Sequence, residues 1–181
     1  MQFSSRYILP IFGIGSLFFL ARSFSTEFLS SISYDELTYL IYLPAGIRLL
    51  AVTIYDWIGI LGIILGWVFC HFYNHEKTLL QCLELGFISG ATAYTSLKIW
   101  QWYYNIGNAF EGLTTRLAIS LAIISAIISA FIRYVIRYSV DPQTSFFAVF
   151  SIGLIGDLLG SLIVIYFIKG GLYFYRQFSK N

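Results

Sequence analysis

Apolar stretches of roughly twenty residues recur along the whole chain, and they restrict its fold more than any other feature. A helix rises about 1.5 Å per residue, so about twenty residues match the hydrocarbon thickness of a bilayer. Only 11% of the residues are charged, whereas soluble domains carry about 25%. The strict alternation of apolar and polar residues that a transmembrane β-barrel needs is missing. The stretches therefore predict transmembrane helices.

The sequence predicts an all-α fold, a polytopic membrane helix bundle of about six transmembrane helices that forms a single integral membrane domain over residues 1–181. A cleaved secretory signal is an alternative for the first stretch, which is short and ends in Ala21-Arg22-Ser23; we interpret it as a retained helix. The predicted segments are residues 7–21, 37–54, 57–73, 79–97, 113–132 and 146–168.

The net charge and the motif content of the sequence argue against a nucleic-acid-binding protein and against an enzyme. The net charge is +2 with no dense run of lysine or arginine, so we expect no nucleic-acid partner. The chain contains no Walker loop, no G-x-S-x-G and no H-E-x-x-H motif, so we expect no enzyme activity and no cofactor. The loops are too short for an extramembrane domain. A helix bundle of this kind is expected in a bacterial inner, cytoplasmic membrane as a multi-pass protein, and the lysines and arginines of the loops favour both termini in the cytoplasm.

Two glycine patterns indicate close helix packing. Gly59, Gly62 and Gly66 follow a G-x-x-G-x-x-x-G spacing that Gly153, Gly156 and Gly160 repeat in the last segment. Each set lies on one helical stripe, and such a groove lets another backbone approach closely in lipid. The stripes predict tight packing within the chain. Two alternatives are an internal three-plus-three repeat, as in many transporters, and contact with a partner protein.

The second segment contains Pro44 and Gly46 inside an apolar run, which predicts a kinked or broken helix. Arg48 follows about one turn later, and Asp157 lies on the glycine stripe of the last segment. A charge at such a depth needs a partner or a wet cavity. We therefore predict that Arg48 and Asp157 face each other in the bundle interior, either as a static pair that fixes helix register or in a role linked to a ligand or proton.

Other polar residues are weaker candidates for binding. Asp56 and Glu84 are further candidates for a ligand or an ion pair, although Asp56 lies in a tight turn where solvation is the simpler interpretation. His71 and His75 stand four residues apart and share a helix face, which is a spacing that metal ligands use. No third ligand is specified, so we expect no metal site.

The run Leu43-Pro44-Ala45-Gly46-Ile47, followed by Trp57 and the first glycine stripe, resembles the proline-alanine-glycine signature of bacterial membrane-associated sensor domains of the MASE type. The later run from Gly156 to Leu162 resembles their aspartate-leucine-glycine motif. The resemblance implies a multi-helix input domain that normally precedes a histidine kinase or diguanylate cyclase. Pro44, Gly46, Asp157 and Gly160 would be signature positions. This chain departs from the pattern in having fewer spans, leucine at position 43 where proline is common, and no output module.

Two functions follow as expectations. The first is a membrane sensor or accessory subunit that binds a membrane protein partner, or a second copy of itself, through its glycine stripes. The second is a protein that binds or transports a small solute, because the second segment is predicted to break and Arg48 and Asp157 lie within the membrane. The vitamin-binding S-components of ECF transporters and the rod-shape scaffold MreD are similar to it in length and architecture. A small-molecule ligand fits either function, and the lipid bilayer surrounds the protein in both.

Overall fold

The computed structural model describes residues 5–28, 33–35, 38–74, 77–107 and 114–178. Over these ranges the chain forms six helices and one two-stranded hairpin, which confirms the all-α bundle. The elements are α1 (Ser5–Phe28), β1 (Ser33–Asp35), β2 (Thr38–Tyr39), α2 (Leu43–Tyr55), α3 (Trp57–Asn74), α4 (Leu79–Tyr104), α5 (Thr115–Val140) and α6 (Phe146–Phe178).

Among these ranges, three helices are long and apolar enough to cross a membrane by length and composition, namely α1, α5 and α6. The apolar helices α2 and α3 are shorter. Side chains that face outward are largely aliphatic or aromatic along most helices, as expected for a surface that contacts lipid.

The prediction for the second segment is wrong at its start. Residues 38–42 are not part of α2, which begins at Leu43, so Pro44 occupies the first turn and neither kinks nor breaks the helix; residue 37 lies outside the described residues. A proline is tolerated at this position because the first backbone N–H groups of a helix have no acceptor within it. Gly46 is buried against α6, where an added Cβ would lie 2.6 Å from the Cβ of Val164.

Polar residues define two other helix ends. α4 begins with a capping box in which Thr78 Oγ1 accepts from the backbone N–H of Gln81 at 3.3 Å, and Gln81 Oε1 accepts from the N–H of Thr78 at 3.0 Å. Asn105 caps the C-terminal end of α4 and has a φ of 52°. Asn tolerates this left-handed conformation better than most residues.

The first glycine stripe packs α3 against its own neighbours. A Cβ at Gly62 would lie 2.6 Å from the side chain of Ile14 in α1, and one at Gly59 would lie 2.5 Å from the backbone of Ala51 in α2. Gly66 likewise faces Phe18 of α1. The extensive contact between α1 and α3 shows that the first helix is part of the bundle.

The second stripe packs α6 against α5 and the start of α2. A Cβ at Gly153 would lie 2.7 Å from Arg133 of α5, and one at Gly160 would overlap the backbone carbonyl of Tyr42. Gly156 is buried, and its carbonyl accepts from the backbone N–H of Tyr42 at 3.0 Å. Both stripes thus pack against helices of this chain, as the prediction of tight internal packing expects, and contact with a partner stays a prediction.

Candidate functional site

Three helices bring charged side chains to one end of the bundle. This end holds the last turns of α1, α3 and α5 and the first turns of α2, α4 and α6. Arg48 lies in the second turn of α2, Arg133 lies in the second half of α5, and Asp157 lies in the fourth turn of α6. The start of α2 at Leu43 therefore sets the depth of Arg48 in the bundle.

Asp157 lies between two arginines. Its Oδ2 accepts from Arg48 Nη2 at 3.1 Å, and its Oδ1 accepts from Arg133 Nη2 at 2.9 Å. Asp157 is only 1% exposed. Each carboxylate oxygen thus receives a charge-assisted hydrogen bond, which is the pairing that a carboxylate in an apolar interior requires.

Serines of α4 and α5 accept hydrogen bonds from the two terminal nitrogens of Arg48. Its Nη1 donates to Ser89 Oγ at 3.2 Å, and its Nη2 donates to Ser129 Oγ at 3.3 Å. Arg48 consequently contacts α4, α5 and α6 at once. These bonds fix the position of α2 relative to the other three helices.

Tyr42 joins a third arginine to the group. The guanidinium carbons of Arg48 and Arg133 each lie 5.7 Å from the centre of its ring, within the range of a cation–π contact. Its hydroxyl accepts from Arg22 Nη1 of α1 at 3.4 Å. Arg22 also lies 4.0 Å over the ring of Trp67 in α3. The rings of Tyr42 and Trp67 therefore stabilise the arginine guanidinium groups through cation–π contacts.

A cavity of about 80 Å³ lies beside these residues, and we call it the arginine cavity. The described residues that line it include four arginines and no acidic side chain. Its other walls are aromatic, aliphatic or hydroxyl-bearing. The lining consists of Arg22, Tyr42, Arg48, Trp67, Leu85, Ile88, Ser89, Thr92, Ser129, Ile132, Arg133, Ile136 and Arg137.

Among the buried nitrogen donors of the lining, Nε of Arg48 and the indole Nε1 of Trp67 have no hydrogen-bond partner among the described residues. Arg48 is 6% exposed and Trp67 is 4% exposed. A buried donor without an acceptor costs about 1–3 kcal/mol, so both atoms call for an acceptor that the described protein does not supply.

The structure places the other candidates away from this cavity. Asp56 lies at the opposite end of the bundle, where its Oδ1 is 3.1 Å from Lys98 Nζ, and both side chains are partly exposed. Glu84 is exposed on the outer face of α4. Neither residue joins Arg48 and Asp157.

The histidines are not brought into a metal site within the described ranges. The ring of His71 hydrogen-bonds through Nδ1 to the carbonyl oxygen of Lys77, whereas His75 lies outside the described residues. No group of three or more metal-ligating side chains is found in the part of the chain that the structure describes.

The sequence interpretation missed Arg133, which the predicted end of the fifth segment at residue 132 placed in a loop. α5 continues to Val140, so Arg133 lies inside the helix. A signal was present, because Ser125, Ser129 and Arg133 follow one another at intervals of four residues. Residues at that spacing share a helix face, and both serines are buried. Trp67 and Tyr42 had no comparable signal.

Comparison with models of known protein families identifies the family of this chain. A family model described as MASE1 matches residues 8–180, which is nearly the whole chain. The comparison with curated proteins and the comparison with solved structures return no match.

Proposed function

Since this chain belongs to the MASE1 family of membrane-associated sensor domains, we propose that it is an inner-membrane sensor or accessory subunit that passes a signal to a partner protein. The signal enters at the arginine cavity and leaves through contacts between helices. The protein catalyses no reaction of its own in this proposal. Both termini lie in the cytoplasm, so the arginine cavity lies toward the outer face.

One observation carries the proposal, which is that α6 runs from the charged cluster to an exposed end. Asp157 holds α6 to α2 and α5, and the helix then continues to Phe178. This stretch is about 32 Å long at about 1.5 Å per residue, which is close to the hydrocarbon thickness of a bilayer. A continuous helix over this distance is a rigid element that can move both ends together.

The far end of α6 offers a surface for a partner. Phe167 is 82% exposed and Tyr175 is 72% exposed. An added Cβ at Gly170 or Gly171 would meet no atom within 4 Å. Aromatic side chains are enriched in protein interfaces because they bury large areas at low cost in conformational entropy. The partner therefore packs against this part of α6 and not against the glycine stripes.

Photo-crosslinking in native membranes tests the proposal. A benzophenone amino acid replaces Phe167 in one variant and Trp102 in a control, which is 83% exposed on α4 near the same end of the bundle. We expect a discrete protein adduct from position 167 and none from position 102. We also expect Arg48→Lys, which keeps the charge, to change the adduct yield at least about twofold by shifting the balance between two states of α6.

The result that counts against a partner at α6 is equal labelling at both positions. If an adduct forms at position 167 and its yield is the same in the wild type and in Arg48→Lys, the partner at α6 is supported. The link between the charged cluster and the partner is then contradicted. Identification of the adduct by mass spectrometry then separates a second copy of this chain from a different protein.

A second function is favoured by the arginine cavity itself. A small-solute binding or transport protein needs a polar cavity among its helices, and this cavity lies beside Arg48 and Asp157. Uptake of a solute into vesicles that contain only this protein would support transport. A sensor gives no uptake in the same vesicles.

A further inference from the structure

We propose that the arginine cavity binds a small oxyanion, a carboxylate or a phosphate group, through the indole N–H of Trp67 and the Nε–H of Arg48. As the input of a sensor, this site rests on the proposed function. As a binding site, it rests only on the geometry of the cavity and is tested without any partner.

The two buried N–H donors, on Trp67 and Arg48, show where an acceptor would bind. Both side chains are more than nine-tenths buried, both line the same cavity, and neither donor has an acceptor among the described residues. The serines that line the cavity already accept from the terminal nitrogens of Arg48. A bound group with acceptor oxygens supplies what these two donors lack.

The charge of the lining selects an anion. Asp157 receives bonds from Arg48 and Arg133, so this buried group of three side chains carries one more positive than negative charge. Arg22 and Arg137 add to the positive potential of the cavity, while each makes contacts of its own. In an environment of low dielectric constant, hydrogen bonds to an anionic acceptor are about twice as strong as bonds to a neutral one.

The size of the cavity limits the ligand. A single water needs about 10–15 Å³ of comparable space, so about 80 Å³ holds a few waters or one carboxylate or phosphate group. Pockets that enclose drug-sized ligands measure about 300–1,000 Å³. A larger molecule would thus place only its charged group here. A free anion and the phosphate of an anionic lipid both meet this description.

Thermal unfolding of the purified, delipidated protein in a neutral detergent tests binding. Sodium phosphate and sodium acetate are titrated separately against sodium chloride at equal ionic strength. We expect at least one of the two oxyanions to give a saturable rise in the unfolding temperature of roughly 5–10 °C at a hundredfold excess over its Kd. Oxyanions that do no more than chloride, in detergent and in the lipid experiment below, overturn the proposal and leave water as the occupant.

Conservative variants locate the site. Trp67→Phe removes the indole N–H and keeps a ring beneath Arg22, and we expect it to weaken binding about tenfold. The matched control is Trp102→Phe, on an exposed residue far from the cavity, which should bind like the wild type. Arg48→Lys keeps the charge but loses the Nε–H, and it serves if Trp67→Phe does not fold. Wild-type affinity in the folded variants overturns the assignment of these donors.

Lipid discs separate the two sources of the oxyanion. The protein is placed in discs of phosphatidylcholine alone or with phosphatidylglycerol, and unfolding is followed with and without added phosphate or acetate. Stabilisation by phosphatidylglycerol that abolishes the effect of the free anion, and that Trp67→Phe weakens, identifies a lipid headgroup. An effect of the free anion that persists in both discs identifies a soluble ligand. These measurements use no partner, so their outcome is independent of the crosslinking result.

Discussion

The two ends of the bundle each carry an ion pair, and the two pairs differ far more in surroundings than in geometry. Arg48 and Asp157 approach to 3.1 Å with side chains 7% and 2% exposed, whereas Lys98 and Asp56 approach to 3.1 Å with side chains 35% and 49% exposed. The first pair is joined by Arg133, two serines and Tyr42. The comparison teaches that contact distance alone says little about what a pair does.

Solvation explains the difference. Water screens an exposed pair and competes for its hydrogen bonds, so such pairs contribute about 0–1 kcal/mol. A buried charge cannot be left alone, so removal of its partner costs about 3–5 kcal/mol even where formation of the pair gains little net stability. The buried end is therefore sensitive to loss of a single charge, and the exposed end is tolerant of it.

The largest expected effect is that of Asp157→Asn. The amide keeps the shape of the side chain but removes the negative charge that Arg48 and Arg133 share. We expect a loss of about 3–5 kcal/mol, seen as a sharp fall in folded yield and in the unfolding temperature in detergent. If the free energy of unfolding of the variant lies within about 1 kcal/mol of that of the wild type, another group must balance the charges of the two arginines.

A smaller effect is expected when a methyl group is added to α6 near its middle or toward its C-terminal end. Gly160→Ala forces a Cβ onto the carbonyl of Tyr42, and we expect it to destabilise the protein by about 1–3 kcal/mol. Gly170→Ala meets no atom within 4 Å and should stabilise the helix by up to about 1 kcal/mol through helix propensity. Denaturation of the two variants side by side measures the difference. Equal values would mean that α6 does not contact Tyr42 this closely.

The smallest effect is expected for Asp56→Asn at the exposed end. Asp56 has a φ of 52°, which asparagine also tolerates, so the variant tests the charge and not the backbone. We expect a change of about 0–1 kcal/mol that shrinks further at high salt. A loss as large as that of Asp157→Asn would erase the contrast between the two ends.

Much of the architecture was predictable from sequence because a helix needs about twenty apolar residues to cross the hydrocarbon core of a bilayer. Five of the six predicted segments correspond to helices that begin within two residues of the predicted start, and the exact ends differ where interfacial residues continue the helix. The exception is the second segment. Pattern alone did not reveal that α2 begins at Leu43 with Pro44 in its first turn, because a proline inside an apolar run also fits a kink in a longer helix.

The site was less predictable. Arg48 and Asp157 stood out because a charge in an apolar segment must be paired, and the structure places them in contact. Arg133 was missed because residues near a segment end have ready access to water. Its presence also means that exchanging the charges of Arg48 and Asp157 would bring an arginine at position 157 against Arg133. Such a swap is therefore no test of the pair.

The contact between Tyr42 and α6 has a consequence for mutational scanning. It is made of backbone atoms, namely the N–H of Tyr42 on the carbonyl of Gly156 and the carbonyl of Tyr42 against Gly160. A scan that trims side chains to alanine removes none of these atoms, so any effect it finds at Tyr42 comes from the ring and hydroxyl contacts with the arginines and not from this junction. Only substitutions that add bulk at the glycines reveal that the start of α2 and the middle of α6 are fastened together.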